Sequence, residues 1–407
     1  MVNDTSNFIS GFGIIPNDWS CKTANEICTK ISKGTTPPKS EISNEGKIPF
    51  LRVNNLTFYG RLALDSDFIF VSKQSHENFL SRSMAFPNDI LMNIVGPPLG
   101  KTALLDDSYP EYNMNQAIVF YRLQKNLVDS QYFLEFLNSF KAQQWLQSRS
   151  KKTSGQQNLT IEICKDLPII LPPLVEQKKI AQILSTWDQT ISATEKLLKN
   201  SQEQKKALMQ QLLTGKKRLL DENGVKFSDE WQRIELGLLL DYQQPTPYLV
   251  ESTAYSDSYE TPVLTAGKTF ILGYTNESSG IYQDQLPVII FDDFTTDSKY
   301  VNFPFKAKSS AMKILTAKKG VSIKFVFEAM QMLQFTVGGH QRHWISIFSN
   351  LVIPLPNKKV QQQIAEVLSL ADQEIETLQK KLDCLQQEKK ALMQQLLTGK
   401  KRVKVAA

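Results

Sequence analysis

Residues Lys205-Lys206-Ala207-Leu208-Met209-Gln210-Gln211-Leu212-Leu213-Thr214-Gly215-Lys216-Lys217-Arg218 recur unchanged at Lys389 to Arg402. The offset is 184 positions, and it holds further back without a gap. Ile180-Ala181 matches Ile364-Ala365, Leu184-Ser185 matches Leu368-Ser369, and Asp188-Gln189 matches Asp372-Gln373. Ile191 matches Ile375, Leu198 matches Leu382, and Pro172 matches Pro356. Two copies at so long a period describe a duplicated module of half the chain, not a solenoid.

Each copy has the spacing of one long helix. Ile180, Leu184, Trp187, Ile191, Thr194, Leu198, Ser201, Lys205, Leu208 and Leu212 alternate steps of four and three. Ile364, Leu368, Ala371, Ile375, Leu378, Leu382, Leu385, Lys389, Leu392 and Leu396 do the same. That is a heptad seam, with a lysine at the same place in each copy. Pro172-Pro173 and Pro356 precede the helices, and Gly215 and Gly399 end them. One such stripe would fit a core-facing bundle helix or an interaction coiled coil. Two at matching places allow each to cover the other, most simply as an antiparallel pair related by a pseudo-two-fold axis.

What precedes each helix differs between the copies. Both halves open on a tryptophan, Trp19 and Trp231. Both then alternate short β-branched and aromatic runs with turns: Ile48 to Val53, Asp89 to Val95, Ala117 to Leu123 and Leu286 to Phe291. Helices are expected at Ser130 to Ser148 and Val321 to Met332. The fold class is therefore α+β: two α/β globules, each followed by one of two long antiparallel helices that form a coiled-coil spacer.

Bulk properties narrow the function classes. A chain of 407 residues has material for two or three domains. The net charge of +6 suits a polyanionic partner without requiring one. Cys21, Cys28, Cys164 and Cys384 form no CxxC pair, and there are three histidines, so no zinc site is expected and metal ligands are none. Scattered cysteines fit a reducing, cytoplasmic setting. The first residues lack the pattern of a signal peptide, and no apolar run approaches a membrane span.

Three stretches imitate chemistry. Gly96-Pro97-Pro98-Leu99-Gly100-Lys101-Thr102 is one residue short of a phosphate loop, and its prolines remove backbone donors. Asp292-Asp293 after a strand lacks a Glu-x-Lys partner and reads as a turn. His340 and His343 have no nucleophile nearby and read as structural or base-contacting. Glu176-Gln177-Lys178 and Glu203-Gln204-Lys205 read as solvated charge on the helices. No catalytic residue is expected.

The twin Lys-Lys-Ala-Leu-Met-Gln-Gln-Leu-Leu-Thr-Gly-Lys-Lys-Arg segments resemble the specificity subunit of type I restriction–modification systems. So do Pro172-Pro173-Leu174-Val175-Glu176-Gln177-Lys178-Lys179-Ile180 and Gly34-Thr35-Thr36-Pro37. The second copy reads Pro356-Asn357-Lys358-Lys359-Val360-Gln361, a mild departure. The resemblance implies target recognition domains at 1–170 and 219–354, and spacer helices at 171–218 and 355–407. It implies that each domain reads half of a bipartite, asymmetric DNA site, and that the helices fix the unread spacing. It also implies two methyltransferase subunits and restriction/translocase subunits as partners. S-adenosylmethionine, ATP and Mg would be held by those partners, and no cofactor by this chain. Two major-groove readers on one face of B-DNA sit roughly 34–36 Å apart.

Candidate DNA contacts are polar or basic residues in expected loops. In the first half they are Lys33, Thr35, Thr36, Arg52, Asn54, Asn55, Lys101, Lys151, Lys152, Gln156 and Gln157. In the second they are Lys268, Lys299, Lys306, His340, Gln341 and Arg342. The junctions Ser154 to Asn158 and Gly338 to Arg342 fall at the same offset, as groove contacts or as turns into a last strand. Two rival classes remain at this stage: a scaffold that joins partners without reading DNA, and a cryptic nuclease or methylase. A DNA-recognition subunit of a modification-only system is a variant of the leading reading.

Overall fold

In the computed structural model both copies of the repeat are helical over the same stretch, Leu174–Leu212 and Lys358–Leu396. The described residues are all but 1–6, 10, 64–67, 154–155, 221–223, 225–226, 228–229, 266–268, 334–342 and 405–407. Gly215 (φ +71°) and Gly399 (φ +73°) follow the helices in the left-handed conformation that ends a helix without a Cβ penalty. The apolar residues of both heptad seams are buried or half-buried.

The chain divides into two units, residues 1–195 with 381–407 and residues 196–380. Each long helix contributes one part to each unit. In the first unit Ile180, Ala181 and Leu184 share a buried cluster with Met393, Leu396 and Leu397. The start of one helix thus meets the end of the other, so the segments run antiparallel. In the second unit Leu212 and Leu213 share a cluster with Val360, Ile364 and Leu368, again end against start.

Both units contain the same four-stranded sheet. In the first, the order is Thr102–Leu104, Ile90–Asn93, Ile118–Leu123, Cys28–Lys33, antiparallel throughout. In the second it is Ser298–Val301, Val288–Asp292, Met312–Ala317, Leu240–Gln243. The central strands bury their residues on both faces, which is why they read as continuous apolar runs rather than alternations. A parallel pair lies beside each sheet: Ile48–Leu51 with Asn113–Met114, and Thr261–Leu264 with Lys306–Ala307. In each globule the strand just before the four-stranded sheet, Ser20–Thr23 or Gln232–Glu235, also pairs with the last strand before the long helix. Leu171 faces Ser20, and Leu355 faces Gln232.

One element differs from expectation. The helix foreseen over Ser130 to Ser148 is two, Ser130–Asn138 and Phe140–Arg149. Ser139 separates them because its hydroxyl accepts from Ala142 N and caps the second helix. The helix foreseen over Val321 to Met332 spans Ile323–Met330.

Candidate nucleic-acid interface

The first-unit candidates converge on one end of the sheet. Lys33 pairs with Val119, Asn93 with Ile118, and Thr102 with Met92, so these residues mark the same edge. Gly34 follows Lys33 and donates its N–H to Ile118 O at 2.9 Å. A Cβ on Gly34 would stand 2.0 Å from Asn115 O, so only glycine allows the chain to pass here. That explains the glycine before Thr35 and Thr36. Thr36 is exposed, and Thr35 accepts a bond from Arg82 Nε at 2.8 Å. Arg82 is exposed and was missed in the sequence because it lies 47 residues from its partner. Asn115 N bonds Leu51 O at 3.0 Å, which brings Arg52 and the exposed Asn54 to the same edge.

Lys151 and Gln156 are exposed, and Gln157 half-buried, on the strand pair Lys151–Thr153 and Gln156–Asn158. Lys152 shares the first of these strands. Gln157 pairs with Gly96, so the hairpin continues the sheet edge through the Gly96-to-Lys101 turn. Asn93 closes that turn: its amide donates to Val95 O and Pro98 O, and its Oδ1 accepts from Lys101 N at 2.7 Å. The loop is filled by its own asparagine and holds no phosphate cradle. Lys101 Nζ lies 5.8 Å from the Phe58 ring centre.

Two candidates are corrected by burial. Asn55 is fully buried, with Oδ1 accepting from Arg52 N at 2.7 Å, so it shapes the turn instead of facing DNA. Lys306 is 2% exposed, with Nζ bonded to Ser279 O at 2.7 Å and Glu277 Oε2 at 2.8 Å. Its ammonium is spent inside the unit. The topology points to Lys308 instead. Lys308 N bonds Leu264 O at 2.9 Å, the same link that Asn115 makes in the first unit, and Lys308 is exposed. Lys299 is exposed on the outer strand, at the place that Ala103 holds in the first unit, one residue in from the end marked by Thr102 there. Lys268, His340, Gln341 and Arg342 lie outside the described residues.

The imitations of chemistry resolve into structure. Asp292 Oδ1 accepts from Phe294 N and Thr295 N, a turn as expected. Asp293 accepts from Trp344 N and lies 3.6 Å from Lys313 Nζ, both groups buried. His343 is buried, with Nδ1 2.9 Å from Asp293 O.

The expectation of solvated charge at Glu176 and Gln177 is overturned. Gln177 is 1% exposed: its amide donates to Pro172 O and Leu127 O, and its Oε1 accepts from Asp129 N. Gln361 repeats this, donating to Pro356 O and accepting from Ser322 N. Asp129 and Ser322 are the N-caps of the helices Ser130–Asn138 and Ile323–Met330. One glutamine per unit therefore ties the start of the long helix to a helix of the globule. Glu176 accepts from Trp19 Nε1 and from Arg402, which also grips Asp18 at 2.7 Å. The Arg402 bond holds the Asp18 carboxyl below its usual range. In the second unit Val360 stands in place of Glu176, and Arg218 lies over Trp231 at 4.9 Å.

The seam lysines end in buried ion clusters of matching design. Lys389 Nζ lies 2.7 Å from Asp188 and 3.0 Å from Glu135 of helix Ser130–Asn138. Lys205 Nζ lies 2.6 Å from Asp372 and 3.1 Å from Glu328 of helix Ile323–Met330. The clusters differ at one position. Four residues before Glu135 stands Gln131, which donates to Glu135 Oε1 at 3.1 Å. Four before Glu328 stands Lys324, 2.7 Å from both Glu328 and Asp372. The first cluster has one cation for two carboxylates, the second two for two. Burial, helped by Asp188 and opposed by Lys389, pushes Glu135 up to about 7. Asp372 is held below the usual range by its bonds to Lys205 and Lys324, against burial.

Duplicated α+β globules with their polar loops at one sheet edge, each tied to a shared pair of helices, define a DNA-reading class of protein. The family model for the type I restriction modification DNA specificity domain matches residues 16–203 and 228–387. The chain belongs to that family, whose role is recognition of DNA sequence within a restriction–modification complex. It is 54% identical over 132 residues to the Type I restriction enzyme EcoR124I/EcoR124II specificity subunit of Escherichia coli. That match covers 31% of this chain and only 32% of the relative. It is 26% identical over 425 residues to the putative type I restriction enzyme MjaX specificity subunit of Methanocaldococcus jannaschii, covering 96% of each. The fold is similar to that of a type I S subunit from M. genitalium, with TM-score 0.64, 17% identity and 97% of each chain covered. A chain from a structure of type I restriction–modification complex assembly has TM-score 0.52 and 13% identity, over 95% of this chain and 99% of that one. Among the described residues no helix is long and apolar enough to cross a membrane.

Proposed function

We propose that each unit reads one half of a bipartite, asymmetric DNA site with the residues at its sheet edge, over recognition domains at 1–170 and 219–354. The observation that carries this is the convergence of Lys33, Thr36, Asn54, Arg82, Lys101, Lys151 and Gln156 around one end of the first unit's four-stranded sheet, and of Lys299 and Lys308 near the matching end of the second unit's sheet. Lysines there meet phosphates and set affinity, while Arg, Asn and Gln side chains have the paired donor and acceptor geometry for base edges. The two edges carry different residues on one topology, as readers of different half-sites require.

The chain itself does no chemistry in this reading. Two methyltransferase subunits, which bind S-adenosylmethionine, and restriction/translocase subunits using ATP and Mg are its partners, in the cytoplasm. The long helices, 39 residues each and so about 58 Å at ~1.5 Å per residue, fix the number of unread base pairs.

Mapping of methylated adenines in DNA exposed to the assembled complex tests the proposal. One split sequence with fixed spacing is expected. Methylation without sequence preference would sink it, and would favour a scaffold role.

A further inference from the structure

We infer that Glu135 and Glu328 are positioning residues for half-site spacing: each sets its globule's orientation on the long helices through the buried seam lysine. The inference rests on the proposed function. A heptad seam leaves a globule on its flank free to shift along apolar contacts, because dispersion and apolar burial have no direction. A buried charge cluster removes that freedom. Lys389 is reached at once by Asp188 of the facing long helix and by Glu135 of the globule. Lys205 is reached by Asp372 and Glu328 in the same way. Three elements therefore meet on one ammonium in each unit, and sliding any of them strands a buried charge.

Both glutamates are almost wholly enclosed, 2% and 0% exposed at the side chain. Such groups are poor sources of net stability, since desolvation offsets much of the attraction, but they fix geometry. Their placement is duplicated although the globules share little sequence. Lys205 and Lys389, and Asp188 and Asp372, sit at the offset of 184, whereas Glu135 and Glu328 do not. Glu135 and Glu328 each stand six residues after their helix N-caps, Asp129 and Ser322, so each globule brings a glutamate from the same place on its helix to the corresponding seam lysine. An incidental ion pair would not be expected to recur in that form.

The test uses the assembled complex and DNAs carrying both half-sites at the native spacing and one base pair longer or shorter. Glu135→Gln and Glu328→Gln are measured, with Glu135→Leu as a variant that gives up every bond of the carboxylate. The expected result is that methylation at the altered spacings, relative to the native one, rises roughly two- to thirtyfold, the range that altered coupling through packed networks spans. Methylation of single-base half-site mutants stays at the wild-type level. If Glu328→Gln does not fold, the Glu135 variants carry the test, because they remove a carboxylate in surplus. Folded Glu135 variants with the wild-type spacing preference would overturn the inference alone. A wild-type complex that methylates all spacings equally would instead overturn the proposed function.

Discussion

At the scale of single residues, the two ion clusters differ by Gln131 against Lys324, and the difference has measurable consequences. Free glutamate titrates near 4.5 and Glu135 near 7 in the folded chain. The folded state therefore holds this proton more tightly than the unfolded one. The stability linked to Glu135 is complete below about 4.5 and is lost as pH rises to about 7. Glu135→Gln is expected to flatten that limb in thermal melts of the first unit taken across this pH window. Gln131→Lys supplies the missing cation, and it should raise the melting temperature most at pH 8. Glu328→Gln behaves oppositely: it leaves Lys205 and Lys324 facing Asp372 alone, a loss of about 3–5 kcal/mol on chemical denaturation. Equal effects of the two Glu→Gln changes at pH 8 would contradict this assignment.

A second residue-scale prediction separates Lys306 from Lys308. Lys308→Ala should weaken DNA binding in proportion to one lost phosphate contact, lowering the slope of log K against log salt by about 0.9. Lys306→Ala should leave that slope unchanged while destabilising the second unit, since it removes the buried cation paired with Glu277 and leaves that carboxylate only its backbone donors, Glu251 N and Ser252 N. Equal salt slopes for wild type and Lys308→Ala would remove Lys308 from the interface. Sequence spacing could not make this choice. Lys306 and Lys308 are two apart, and only the parallel pairing of Val263 with Lys306 decides which one is buried.

At the scale of elements, the long helices were legible almost to the residue, because the repeat and its proline and glycine boundaries are local signals. The short strands were found where they are apolar on both faces, with ends shifted by one or two residues. The break at Ser139 was not seen, since a serine inside a helical pattern announces a cap only when its hydroxyl bonds a backbone N–H. Insertion of one heptad at equivalent points of both helices is expected to lengthen the spacing between methylated adenines while leaving the half-sites unchanged. Unchanged spacing would refute the ruler. Gly34→Ala tests the sheet edge: its Cβ cannot coexist with Asn115 O at 2.0 Å. It should impair binding to one half-site while leaving the other intact, as read by footprinting on half-site mutants.

At the scale of the whole molecule, the units do not follow chain order. Residues 381–407 belong with 1–195, so Arg402 closes on Asp18 and Glu176, and Gly399 packs against Pro16 and Trp19. Arg402→Ala is expected to destabilise the first unit by about 1–3 kcal/mol, a range reduced for the partial exposure of the arginine. Hydrogen exchange should speed up around Trp19 and stay unchanged around Trp231. Uniform protection loss in both units would contradict the division. By itself the sequence determined the duplication, the helices, their seam and the family resemblance, because each is written in spacing along the chain. Only the tertiary structure decided which polar side chains face solvent and which are consumed inside, as with Lys306, Glu176 and Gln177. The physical reason is that burial of a polar group depends on partners dozens or hundreds of residues away, which no local pattern encodes.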